Sequence, residues 1–245
     1  HFSNTIFSIF TIFGISKVAS ILFNKQVGKI VFLLCFLNPI FFGHMAMNSK
    51  DTIIALANVW FVYATIRYLQ KQSEHKNSNH YILIAGLLLG LGTGVRLQFI
   101  ATLIPWIFFI FVDIFFLKKI TNINFLKKKL LIDIFKVLLI GYIFAISAWS
   151  YTHNNILVEP FKLFFEQMNF KGLGVEWILF NGNFFNTLEL PASYVFINLL
   201  YKTPEFLLVC LIILIFTIFF DKNFYVSKFN FFLTKLFFLL SIILF

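Results

Sequence analysis

An all-α, polytopic membrane protein is the fold class this sequence predicts, and three observations predict it. Apolar residues make up 60% of the 245 positions, against about 45–50% in a typical soluble domain, and charged residues only 12%. Phe alone occurs 38 times. Apolar runs near the roughly 20 residues that a membrane-crossing helix needs recur along the whole chain, so no segment is left over for a soluble domain.

The net charge of +10 does not indicate nucleic acid. The Lys and Arg residues sit in short loops between apolar runs rather than along one polar face, which is the pattern of the positive-inside rule. Cys35 and Cys210 both lie within apolar runs, where a thiol is a small hydrophobe, so neither a disulfide framework nor metal-ligand spacing is on offer.

In order, Phe2 to Ile15 and Ile30 to Phe42 read as a helical hairpin whose turn carries Lys17, Lys25 and Lys29. The polar turn Gly43 to Thr52 follows, with His44, Asn48, Lys50 and Asp51 at the mouth of the membrane, where charge is costly. Thr52 to Ile66 then runs to Arg67, Lys71 and Lys76, and Tyr81 to Val95 returns to Arg96. Leu97 to Leu117 runs back to the basic loop Lys118 to Lys129, and Leu130 to Trp149 crosses again. Placing every basic loop in the cytoplasm puts the 43–52 turn and Arg96 on the external side.

Gly86 and Gly90, four residues apart and with no strand before them, read as close helix packing rather than a phosphate loop. Asp133 and Lys136, one turn apart, are expected to pair. From Ser150 to Thr203 the apolar density drops, giving a large external loop in which Phe161 to Phe170 and Tyr194 to Tyr201 have the mixed polarity of interfacial helices. Leu207 to Phe220 crosses once more. The expected division is 1–149, transmembrane helices with a short external loop around 43–52; 150–203, the large external loop; and 204–245, C-terminal transmembrane helices. The start at His1 rather than Met, with a short last run from Leu233 to Phe245, reads as an internal fragment. The heavy use of Phe, Ile, Lys and Asn points to an AT-rich, bacterial genome.

Two readings of the external cluster stand. Lys and Arg beside an acid suit a lipid-linked phosphate, with Arg as a fork and Lys as a point charge. Alternatively Asn48 or Ser49 is an N-cap, Asp51 complements a helix dipole, and Arg96 snorkels to lipid headgroups. His44 and His153 have no second His or Cys at ligand spacing, so zinc is not indicated.

Four segments in order carry a family resemblance: NPIFFGHMAMNSKDTIIALANVWF, GLLLGLGTGVRLQF, ILVEP after Trp149, and ELPASYVFINLLYKTPEFLL. They resemble the GT-C glycosyltransferases, specifically the protein O-mannosyltransferase and aminoarabinose-transferase-like group, glycosyltransferase family 39 and relatives. The resemblance implies transfer of a sugar from a polyprenyl-phosphate-linked donor to an envelope glycan, lipid or protein acceptor on the outer face of a bacterial inner membrane. It makes Asp51 a supporting acid near the donor phosphate or an associated divalent metal ion, and implies no other cofactor. It places Lys50 and Arg96 on phosphate, His44 and Asn48 beside them, and Tyr194 and Lys202 in the carrier-proximal part of the large loop. The family's principal catalytic carboxylate belongs to a first external loop that this sequence does not contain. The expected partners are the lipid-linked donor and the bilayer, with no nucleic acid; oligomeric state is not indicated. The competing class is a transporter or flippase of lipid-linked saccharides, which calls for midplane charge or broken helices in repeated halves. Asp113 is its one candidate charge, and no internal repeat is present.

Overall fold

The computed structural model describes residues 2–118, 120–121, 127–168 and 176–220. The chain forms two compact units, residues 1–159 and 160–245. The first contains α1 (Phe2–Leu22), α2 (Lys25–Phe36), α3 (Pro39–Met47), α4 (Ser49–Ser73), α5 (Asn79–Val95), α6 (Phe99–Val112) and α7 (Lys127–Ala148). Four of its helical segments are long and apolar enough to cross a membrane: 2–22, 49–73, 99–116 and 128–148. The protein is an all-α, multi-pass membrane protein.

The first expected hairpin is built differently from its sequence reading. Helix α1 continues through Lys17, whose ammonium lies 5.0 Å from the Phe13 ring centre, and ends only at Leu22. No Gly or Pro stands between Ile15 and Leu22 to stop it. Asn24 then caps α2, its Oδ1 accepting the Val27 N–H at 2.9 Å. The run Ile30 to Phe42 is not continuous. It breaks at Leu37–Asn38, because Pro39 cannot donate to an ongoing helix but fits the first turn of a new one, where Asn38 Oδ1 accepts the Phe41 N–H. The polar stretch after it is helical on both sides of Asn48.

Small residues set the packing. Helix α5 lies against both α4 and α7, and α1 packs on α4 and α2. A Cβ on Gly86 would stand 2.7 Å from Ile140 Cβ, and one on Gly90 would stand 2.6 Å from the Gly141 carbonyl oxygen. Both distances are shorter than real side chains allow, so the glycines let α5 and α7 approach backbone to backbone. Ala57 and Ala64 of α4, Ala85 of α5, and Phe99 and Leu103 of α6 form the buried core beside this seam. Polar groups stitch the same helices: Trp106 Nε1 donates to Thr65 Oγ1 at 2.7 Å, Trp60 Nε1 to the Phe10 carbonyl at 3.1 Å, and Asn58 Nδ2 to Thr102 Oγ1 at 2.9 Å. The opposite surfaces are apolar and open, as on α7, where Leu131, Phe135, Leu138 and Ile143 are exposed. Hydrocarbon is the solvent that such a surface fits.

The second unit holds most of α8 (Glu159–Met168), an antiparallel pair β1 (Trp177–Phe180) and β2 (Asn183–Asn186), α9 (Tyr194–Lys202) and α10 (Glu205–Phe220). The strands were not expected. Their turn is Asn181-Gly182, both with positive φ (48° and 81°), the Asn-Gly signature of a type I′ hairpin. That dipeptide between WILF and NFFN was the available signal. Helices α9 and α10 meet at a bend of 110° across Thr203-Pro204. The last run, from Leu233, lies outside the described residues.

Candidate substrate site at the helix ends

The geometry starts from Asn48. Its side chain caps α4 by accepting the Asp51 backbone N–H at 3.2 Å, and its Nδ2 donates to the Asp51 carboxylate. Asn48, rather than Ser49, is therefore the N-cap, and Asp51 sits in the first turn, where the helix dipole favours an anion. The hydroxyl of Thr52 is buried and hydrogen-bonds both the Asn48 carbonyl and the side chain of Asn4, which ties the start of α4 to α1.

Arg96 arrives from the other direction. Helix α5 ends at Val95, and Arg96 turns extended (φ −150°, ψ 130°) while its own N–H still bonds the Gly92 carbonyl. Its Nη1 lies 3.4 Å from Asp51 Oδ1, with both side chains about half exposed (52% and 53%). Trp149 Nε1 donates to the Gly94 carbonyl at 2.7 Å, which fixes this end of α5 to the end of α7. The α4 N-terminus and the α5 C-terminus thus share one end of the bundle, and residues 45 apart in sequence meet there.

The cap is realised, and beside it Asp51 faces the Arg96 guanidinium. Lys50 is exposed beside them on the first turn of α4. Two cations and a helix N-terminus against one carboxylate leave the site positive, and a guanidinium has five donors, of which Asp51 engages Nη1. Such a site can hold a phosphate. Among the described residues no group of three or more His, Cys, Asp or Glu could hold a metal ion.

The structure brings together Asn48, Lys50, Asp51 and Arg96. The side chain of His44, in α3, lies outside the described residues. Tyr194 and Lys202 belong to the second unit, at opposite ends of α9; the Tyr194 ring meets Phe180 edge to face at 5.2 Å, and Lys202 is exposed. Asn4 and Thr52 were missed by the sequence reading, although an Asn within the apolar run FSNTIF was a visible anomaly.

Two other carboxylates are used elsewhere. Asp113, which the transporter reading singled out, is buried and accepts the Ile120 and Thr121 backbone N–H groups and the Thr121 hydroxyl. It closes a π-helical turn that ends at Lys118 in the left-handed region (φ 50°). Asp133 pairs with Lys136 at 2.9 Å as expected, and also accepts the Tyr68 hydroxyl at 2.8 Å, which joins α7 to α4. Tyr68 is 17 residues past Asp51, so this lock lies about 25 Å along α4 from the candidate site.

Fold and site together define a helical membrane protein with a positively charged, acid-backed site at one end of its bundle. The family model described as dolichyl-phosphate-mannose-protein mannosyltransferase matches residues 1–149. The chain belongs to that family, and is a membrane glycosyltransferase of the GT-C type. The match includes the Asn48–Asp51 segment and Arg96, and stops before the ILVEP and ELPASY segments. Comparison with curated proteins and with solved structures gave no match.

Proposed function

We propose that the protein moves a sugar from a polyprenyl-phosphate-linked donor to an envelope glycan, lipid or protein acceptor at the external face of a bacterial inner membrane. The end of the bundle that carries Asp51 and Arg96 holds the carrier phosphate. The observation that carries this reading is the Arg96–Asp51 contact at 3.4 Å on a helix N-terminus. An exposed pair of this kind contributes about 0–1 kcal/mol to stability, so folding alone gives little reason for it. Positioning a phosphate-binding guanidinium does.

The chemistry asks for such a group. An acceptor hydroxyl oxygen attacks the anomeric carbon while the bond from that carbon to the phosphate oxygen breaks. The bonding pair leaves with the polyprenyl phosphate, and the hydroxyl proton passes to a general base. By the family resemblance that base lies in a first external loop, and Asp51 is a supporting acid. Charge grows on the departing phosphate, and Arg96, Lys50 and the first-turn N–H groups of α4 are placed to stabilise it. By the family resemblance Asn48 and His44 belong to the same substrate-binding set, and Tyr194 and Lys202 to the carrier-proximal part of the large loop. The external placement rests on charge: Lys71, Lys76 and Lys118 lie toward the other end of the same helices, as the positive-inside rule requires of a cytoplasmic face.

The test is transfer of labelled sugar from a polyprenyl-phosphate donor in membranes containing the intact protein. Arg96→Ala lowers transfer by about 10²-fold or more, the usual scale for loss of one donor to a developing charge. Transfer by Arg96→Ala at the unmodified rate overturns the proposal.

A further inference from the structure

The β-hairpin of the second unit has two unlike faces. Register pairs Trp177 with Asn186 and Leu179 with Phe184 on one face, and Ile178 with Phe185 and Phe180 with Asn183 on the other. The second face packs inward at Phe180, which is buried and makes edge-to-face contacts with Phe185 and with Tyr194 of α9, while Ile178 and Phe185 are half-buried. The first is open, with Trp177, Leu179 and Phe184 exposed by 58%, 61% and 70%. An isolated two-stranded hairpin is marginally stable in water, and three bulky apolar groups on its bare face make water the wrong solvent.

Continuity with the membrane says what covers it. Helix α10 is an apolar helix that runs from Glu205 to Phe220, with Val209, Ile212, Ile213 and Phe216 exposed. It joins α9 through Thr203-Pro204 at a 110° bend, so if α10 crosses the bilayer, α9 lies close to the membrane plane. Helix α9 presents Val195, Phe196, Leu199 and Leu200 in the open, as an interfacial helix does. The hairpin is fastened to this helix by the Phe180–Tyr194 contact. Its tip, Asn181-Gly182-Asn183, is polar, which disfavours plunging into hydrocarbon turn first. Trp is also the residue most at home at the boundary between headgroups and acyl chains.

We propose that the hairpin Trp177–Asn186 is a membrane-interface anchor, lying side-on at the bilayer surface with Trp177, Leu179 and Phe184 among the lipids. It steadies the large loop at the height where a lipid-linked substrate presents its headgroup. The anchor depends on α10 crossing the membrane and not on the transfer chemistry, so it can fail or hold independently of the proposed function.

The test places an environment-sensitive nitrobenzoxadiazole label on the hairpin in the intact protein in nanodiscs. Cys35→Ser and Cys210→Ser remove the native thiols, and Phe184→Cys and Leu179→Cys put the label on the open face. Asn183→Cys, the exposed position paired with Phe180 beside the turn, and Glu189→Cys are the references. Lipids spin-labelled at acyl carbon 5 quench the 184 and 179 labels at least twofold more than the 189 label, and aqueous iodide does the reverse. Equal iodide quenching at 179, 184 and 189 overturns the proposal. So does protection from iodide without lipid quenching, which means a protein cover. Relief of lipid quenching by added polyprenyl phosphate also overturns it, since the face would then hold the carrier. Should the labelled variants elute as aggregates, Trp177→Phe in the otherwise native chain decides against the background of Trp60, Trp106 and Trp149: a smaller lipid-quenchable share of the emission than in the native chain supports the anchor, and an unchanged or larger share overturns it.

Discussion

Replacing Asp51 with Asn separates the two roles that its position combines. The amide keeps the size of the side chain and can still accept from Asn48 Nδ2, but it loses the charge that favours the α4 N-terminus and that faces Arg96 at 3.4 Å. The first loss costs about 0.3–1 kcal/mol and the second, at half exposure, about 0–1 kcal/mol, so stability falls by roughly 1 kcal/mol. If Asp51 only finished a helix, activity would follow that small change. If it holds the guanidinium for the phosphate, the transfer rate falls by about 10²-fold, equivalent to roughly 2.7 kcal/mol at the transition state. The assay pairs thermal unfolding in detergent with sugar transfer in native membranes. Asn24→Ala is the reference, because it removes an ordinary N-cap at α2, costs about 1 kcal/mol and leaves transfer unchanged. Transfer by Asp51→Asn at the rate of Asn24→Ala would refute the reasoning and leave Asp51 a first-turn acid complementing the helix dipole.

Two further outcomes rest on packing. Gly90→Ala drives a methyl toward the Gly141 carbonyl, which is backbone and cannot rotate away, and costs about 1–3 kcal/mol of unfolding free energy. Gly94→Ala meets nothing closer than 3.9 Å and is neutral or slightly stabilising in the same thermal assay; equal loss in the two variants would refute the close α5–α7 seam. Asp133→Ala strands the buried Tyr68 hydroxyl and costs about 1–3 kcal/mol, and Tyr68→Phe added to it costs little more, as a double-mutant cycle in chemical denaturation checks. Both Asp133 variants keep the KM for the lipid-linked donor, since the lock is far along α4 from Asp51.

Much of this was legible because membrane residence and helix ends are local matters. Apolar runs, basic loops, and Gly86 and Gly90 at four-residue spacing each carry their meaning within a few residues, and bundle and seam both follow. The Asn48–Asp51 cap is as local, a side chain closing on an amide three positions on. The errors were local signals read too weakly. Pro39 divides Ile30–Phe42 because it lacks an N–H, and Asn181-Gly182 makes a hairpin because two successive residues accept positive φ.

What the sequence by itself determined is the all-α membrane class, the spacing of its charges and the capping capacity of the stretch around Asp51. Only the tertiary structure decided that Arg96 and Asp51 meet, that Asn4 reaches Thr52, that Asp113 is committed elsewhere, and that Asp133 also takes the Tyr68 hydroxyl. The physical reason is that helical periodicity and capping are written within one or two turns. Which helix ends coincide depends on how α5 seats between α4 and α7, through glycine contacts and buried alanines that belong to no single segment.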